Sequence, residues 1–227
     1  LSDTRDRVYY INANPGQHGI FAAEREDGDL FEPISCVHID GDFNGNAVDP
    51  DIVRLADGSW KLFYYEGWFV TPPPQPEEPH PFYVATSDDG FDFQVEAKIL
   101  SIDGGGTDPT GVQLADGSWL LAIAYPSNVR LFRSDDGTTF TEQTPVPFSD
   151  GIPELAVFPD GKVRLYNAEM GTLRVYSSDD DGQSWVVEGE AGVGGADPSL
   201  VHLADGRSRL YLKQFPPPDS GGPPQAP

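Results

Sequence analysis

Asp49-Pro50-Asp51-Ile52-Val53-Arg54-Leu55-Ala56-Asp57-Gly58-Ser59-Trp60 is the stretch whose reading decides the fold. A short apolar run ends in Asp-Gly, a strong hairpin signal, because glycine accepts positive φ and aspartate tolerates it. A second strand should then run from Trp60 to Tyr65. The pattern returns at Asp108-Pro109 through Asp116-Gly117-Ser118-Trp119, at Ile152-Pro153-Glu154 through Asp160-Gly161-Lys162, and at Asp197-Pro198 through Asp205-Gly206-Arg207. Arg7 to Ile11 reads as a fifth copy of the second strand.

Another turn recurs in the other half of each unit: Ser87-Asp88-Asp89-Gly90, Ser134-Asp135-Asp136-Gly137 and Ser178-Asp179-Asp180-Asp181-Gly182, each followed by an aromatic at Phe93, Phe140 or Trp185. Glu26-Asp27-Gly28-Asp29-Leu30-Phe31 reads as a degenerate copy. Turn aspartates, here Asp135 and Asp180, are expected to satisfy local backbone amides. The inner-turn aspartates at 57, 116, 160 and 205 are spaced by 59, 44 and 45 residues. Two hairpins in a unit of about 45 residues are the mark of a propeller blade. The sequence therefore predicts an all-β fold, a β-propeller of four-stranded antiparallel blades. Three strands at the N-terminus, four in each of three central units and two at the C-terminus allow five blades, or four with closure between the N- and C-terminal strands; five second-strand copies favour five. The long first step reflects an insertion, Gly67 to Pro81, whose prolines cannot join a ladder. The expected organisation is one propeller domain, 1–215, and a proline-rich tail, 216–227.

Composition narrows the partners. With 14 basic and 37 acidic residues, a formal net charge of -23 opposes binding to nucleic acid or an acidic membrane surface. No apolar run is long enough for a helical membrane span. Cys36 is the only cysteine, so neither an internal disulfide nor a cysteine-based zinc site can form. A secreted, periplasmic or cell-surface location, with a leader not present in the sequence, is the expectation.

The first strand of each propeller blade lines the central channel. Asp49, Asp108, Glu154 and Asp197 are placed by the repeat at its start and are expected to converge on the axis. Converging carboxylates suit acid–base chemistry or a calcium ion, and strand capping by local amides is the structural alternative. His202 could face the channel beside Asp197 or serve as a hydrogen-bonded packing residue. Trp68, in the insertion, could stack on a sugar or anchor its loop.

The outer turns resemble the Asp-box of sialidase-like propellers. The order Asp49, Asp108, Glu154 resembles the family forty-three glycoside hydrolases, five-bladed arabinanases and β-xylosidases. That resemblance implies glycoside cleavage, with Glu154 as proton donor and the two aspartates as base and pKa-tuning partner. The alternative function is a non-catalytic glycan- or protein-binding module. No copy of the early arginine motif of sialidases is present. Partners are therefore expected to be carbohydrate, with protein as an alternative, and no cofactor beyond calcium at the central channel is implied.

Overall fold

The computed structural model describes residues 5–12, 14, 16–26, 30–67, 79–103, 105–143, 146–203 and 205–214. All regular structure among them is strand. The first sheet is β1 (Arg5–Asn12), β2 (Gly19–Glu26) and β3 (Glu32–Cys36); a hairpin, β4 (His38–Ile39) and β5 (Asp42–Phe43), follows. The second sheet contains β6 (Ala47–Arg54), β7 (Trp60–Glu66), β8 (His80–Ser87) and β9 (Asp92–Ile102); the third, β10 (Thr107–Gln113), β11 (Trp119–Tyr125), β12 (Asn128–Ser134) and β13 (Thr141–Gln143). The fourth contains β14 (Ile152–Val157), β15 (Val163–Glu169), β16 (Thr172–Ser178) and β17 (Val186–Glu190), and β18 (Ala196–His202) pairs with β19 (Ser208–Lys213) alone.

The expected propeller forms, with strands distributed as the repeat implied. Five complete blades do not form. Three are complete, and the remaining arc is closed between N- and C-terminal strands, as in the four-bladed alternative. Closure is by side chains: Asp6 of β1 accepts hydrogen bonds from Tyr211 and Arg209 of β19 and from Arg25 of β2. The sequence did not announce the β4–β5 hairpin, which extends the second sheet by pairing parallel to β9.

Each inner turn has the same construction. The N–H of Leu55 bonds the carbonyl of Ser59, and the N–H of Gly58 bonds the carbonyl of Leu55; Leu114, Phe158 and Leu203 repeat this arrangement. Only glycine takes positive φ, 84–92° at Gly58, Gly117, Gly161 and Gly206. This is a three-residue hairpin with a glycine bulge. In the outer turns, Ser87, Ser134 and Ser178 accept the glycine N–H. Asp89 takes the amides of Phe91 and Asp92, Asp136 those of Thr138 and Thr139, and Asp180 that of Ser184. Asp136, not Asp135, therefore holds the third-sheet turn, because the carboxylate two residues after the turn serine, as at Asp89 and Asp180, is the one that reaches the amides beyond the glycine.

Alternating side chains fill three apolar clusters, one at each junction from the first sheet to the fourth. Phe63, Trp119 and Phe132 belong to the middle cluster; Leu120, Leu155 and Tyr176 to the next; Ile20, Leu62 and Phe93 to the first. None includes a residue of β18 or β19.

Candidate functional site

Proline removes a backbone donor and steers the residue before it towards extended backbone. Asp49, Asp108 and Asp197 each precede a proline and nevertheless hold φ of 47°, 48° and 48°. Aspartate enters this left-handed region more readily than bulkier residues. Each instance coincides with a break in pairing between inner and second strand, at Val48/Asp51, Thr107/Pro109 and Ala196/Ser199. The result is a bulge that takes the aspartate out of the ladder. Proline is harmless there because the inner strand is a sheet edge.

These three aspartates meet at the axial mouth. The N–H of Asp108 lies 3.4 Å from Asp49 Oδ2, the Thr107 hydroxyl donates to Asp108 Oδ2 at 2.6 Å, and Lys213 Nζ sits 3.1 Å from Asp197 Oδ2. Tyr65 hydrogen-bonds Asp49 and stacks on His80 with ring centroids 5.0 Å apart. Burial, reinforced by the charge of Asp108, pushes the Asp49 carboxyl well above the usual carboxylate range. Burial also raises Asp108, aided by Asp197 and partly offset by Thr107 and Lys213.

Glu154 does not join that row. Residue 152, the position equivalent to Asp49, is isoleucine, whose β-branched side chain disfavours the left-handed bulge. β14 consequently runs in unbroken register, Ile152↔Ala168 to Val157↔Val163. Glu154 falls one level deeper, beside Asp51, Thr110 and Ser199. Its exposure is 8%, and its carboxyl accepts the N–H of Leu200 at 2.7 Å and the hydroxyl of Thr110 at 3.3 Å. Burial and the charge of Asp51 raise its pKa well above normal. Asp51 itself is pushed up to about 7 by burial, against the opposing N–H of Gly111 at 2.6 Å.

Sequence reasoning missed Asp51 as a channel residue, although spacing marks it. Asp51, Thr110, Glu154 and Ser199 each stand six residues before the aspartate of their inner turn, whereas Asp49, Asp108 and Asp197 stand eight before it. Counting back from the turn separates the two rows.

His202 is not beside Asp197. Five residues along an extended strand separate them by about 16 Å, and the ring bonds Ser208 Oγ at 2.8 Å and the carbonyl of Val157 at 2.9 Å. It clamps β18 to the fourth sheet, the packing role foreseen as the alternative. Trp68, most of the insertion and the tail 216–227 lie outside the described residues. Among the described residues no three His, Cys, Asp or Glu side chains group as a metal site. A shallow hollow bordered by Arg133, Asp135, Asp136, Thr141 and Gln143 lies over an outer hairpin, away from the axial carboxyls. No helix among the described residues is long and apolar enough to cross a membrane.

No protein-family model matches the chain. No curated protein matches it either. Solved structures do. A family 117 glycoside hydrolase of the marine bacterium Zobellia galactanivorans aligns over 82% of this chain and 59% of its own, at 13% identity and TM-score 0.63. A family 32 β-fructofuranosidase of Bombyx mori aligns over 96% of this chain and 54% of its own, at 16% identity and TM-score 0.63. A family 43 β-xylosidase/α-arabinofuranosidase from a compost metagenome aligns over 92% and 82%, at 13% identity and TM-score 0.58. The chain thus spans a little over half the length of the first two. At such identities the likeness is one of fold.

Proposed function

We propose that the protein is a carbohydrate-active propeller that cleaves a neutral glycoside at its axial mouth, with Asp49 and Asp108 as the reacting carboxyls. The observation that carries this reading is the 3.4 Å approach of the Asp108 backbone N–H to Asp49 Oδ2, which sets two acids on left-handed backbone side by side at the channel mouth. Burial and the opposition of like charges raise both carboxyls, so the pair holds a proton to higher pH than free carboxyls do. Asp49, more strongly raised and facing Tyr65, keeps it and protonates the leaving oxygen. Asp108, which Lys213 helps to ionise, acts on water or on the anomeric carbon. In this reading the Asp197–Lys213 pair meets sugar hydroxyls. The net charge of -23 disfavours an anionic sugar. The fold shared with glycoside hydrolases of families 117, 32 and 43 supports the same substrate class.

The test is turnover of a panel of neutral aryl glycosides by wild type, Asp49→Asn, Asp108→Asn and Glu154→Gln. Each aspartate variant should lose about 10²–10⁴-fold, most steeply at Asp49 for poor leaving groups, while Glu154→Gln stays active. One observation favours a second reading, a glycan-binding module: the inner carboxyls of Asp51 and Glu154 are already engaged by backbone N–H groups. Sugar binding without turnover by the wild type would select it.

A further inference from the structure

The deeper row repeats one bond around the inner wall. Asp51 Oδ2 accepts the N–H of Gly111 at 2.6 Å, Thr110 Oγ1 that of Leu155 at 3.0 Å, and Glu154 Oε1 that of Leu200 at 2.7 Å. In each case the side chain reaches the next inner strand, one residue beyond the equivalent position. An inner strand is an edge whose outward N–H groups lack ladder partners, and this row supplies acceptors to three of them. The Thr110 hydroxyl also donates to Glu154 Oε2, so two of the rungs are joined.

The third rung differs in what it holds. β10 and β14 each belong to a four-stranded sheet and β6 to one of six strands, but β18 has only β19, and an isolated two-stranded sheet is marginal in water. Along β11 six of seven residues are buried; along β18 only Pro198 is, and along β19 none. With no apolar cluster beneath it among the described residues, the pair depends on side-chain ties. Glu154 and His202 attach it to the fourth sheet, and Asp6 with Arg25 attaches it to the first. The same pair carries Asp197 and Lys213 at the mouth.

We infer that Glu154 is a positioning residue: its carboxyl docks the β18–β19 pair on the fourth sheet and through β18 sets Asp197 and Lys213 at the mouth, while the pair opens separately from the complete blades. The mouth half of this statement rests on the proposed function; the docking half does not. Low burial with few buried apolar contacts is the condition under which a segment opens sub-globally.

Hydrogen exchange followed by mass spectrometry on the whole chain tests it. In the wild type, amides of 196–213 should exchange at least tenfold faster than those of 119–134. Glu154→Met, of similar length but without an acceptor, should raise exchange across 196–213 about tenfold further and leave 119–134 unchanged. Glu154→Gln keeps a carbonyl oxygen for Leu200 and should stay within about threefold of wild type, both in exchange and in glycoside turnover. Wild-type exchange at 196–213 as slow as at 119–134 overturns the inference without any variant, which covers the case of a Met variant that does not fold. So does a Met variant that exchanges like wild type, or a Gln variant that is inactive with unchanged exchange, which would restore Glu154 as the acid. The expected exchange pattern with no glycoside turnover by wild type leaves the docking role standing and removes the proposed function.

Discussion

The junction between the second and third sheets and the junction where β19 meets β1 use one position of the repeat for opposite chemistry. Trp119, at the start of β11, lies on Lys61 and Phe63 of β7; Trp60, at the start of β7, lies on Arg7 and Tyr9 of β1. Asp6 occupies the same place on β1 and lies on Arg209 and Tyr211 of β19. An indole there brings a core of Phe63, Trp119 and Phe132 with it. A carboxylate there brings arginines instead, Arg25 stacking on Phe31 at 4.6 Å while bonding Asp6. A propeller junction can thus be a piece of core or a latch, and the two should fail differently.

The comparison predicts its largest effect at the core junction. Phe63 is fully buried, and a methyl at Gly111 would lie 2.5 Å from its ring, so the site is tightly packed. Phe63→Ala should destabilise the whole protein by about 3–5 kcal/mol, read as a shift of the urea midpoint with all sheets melting together. At the latch, Asp6→Ala leaves Arg25 and Arg209, both partly buried, without their shared partner. The expected cost is smaller, about 1–3 kcal/mol, and confined to β1–β3 and β18–β19 by hydrogen exchange. If Asp6→Ala melts the blades globally and Phe63→Ala does not, the contrast between core and latch is wrong.

Much of this was legible in the sequence, and the reasons are local. Asp-Gly and Ser-x-Asp spacing is turn chemistry, which survives in any tertiary setting, so the strand count of three, four, four, four and two could be read directly, the two strands that β4–β5 adds to the second sheet excepted. The closure could not, because nothing in Arg5-Asp6-Arg7 says which strand its carboxylate will meet. Glu154 was misplaced for a different reason. Aligning carboxylates by type put it with Asp49 and Asp108, when the bulge, set by an aspartate that Ile152 replaces, decides the level. Likewise the polar role of His202 followed from its residue type, but its distance from Asp197 required counting residues along the strand.

A third prediction concerns protons at the inner wall. Asp49, Asp51, Asp108 and Glu154 all have raised pKa values in the folded state, chiefly through burial. Between the ordinary value near 4 and the raised one, the folded chain therefore binds protons that the unfolded chain has released. Stability from these groups is present at mildly acidic pH and is lost as pH rises, for Asp51 through about 7. Asp6 and the turn aspartates Asp89, Asp136 and Asp180 are lowered and act the other way, losing their contribution as pH falls below about 4. The urea midpoint should accordingly be highest in mild acid, with a decline by pH 8 on the order of 1–3 kcal/mol. Asp51→Asn should flatten that decline, and a midpoint that rises steadily from pH 5 to pH 8 would contradict the raised values.

The smallest effect belongs to the carboxylates of the outer turns, which face solvent while the turn carbonyls meet the neighbouring sheet, Asp89 accepting from Arg7 and Asp181 from Arg133. Asp180 accepts the N–H and hydroxyl of Ser184 and the hydroxyl of Ser178, so it closes its turn completely. These bonds lie at the solvent boundary, where water replaces a lost partner and the net worth of each bond is small. Asp180→Ala should lower stability by only about 1 kcal/mol, and Asp179→Ala, which removes an exposed ion pair with Lys162, by less than about 0.5 kcal/mol. The ordering Phe63, Asp6, Asp180, Asp179 follows from what each side chain shields from water rather than from how many bonds it makes, since Asp180 makes more than Phe63. An Asp180→Ala loss as large as that of Phe63→Ala would mean that the outer turn aligns Trp185 on Phe148, 5.1 Å away, and so acts on the core after all. Fluorescence of Trp185 in the variant separates the outcomes: an unshifted emission maximum keeps the turn local, and a red shift moves it into the core.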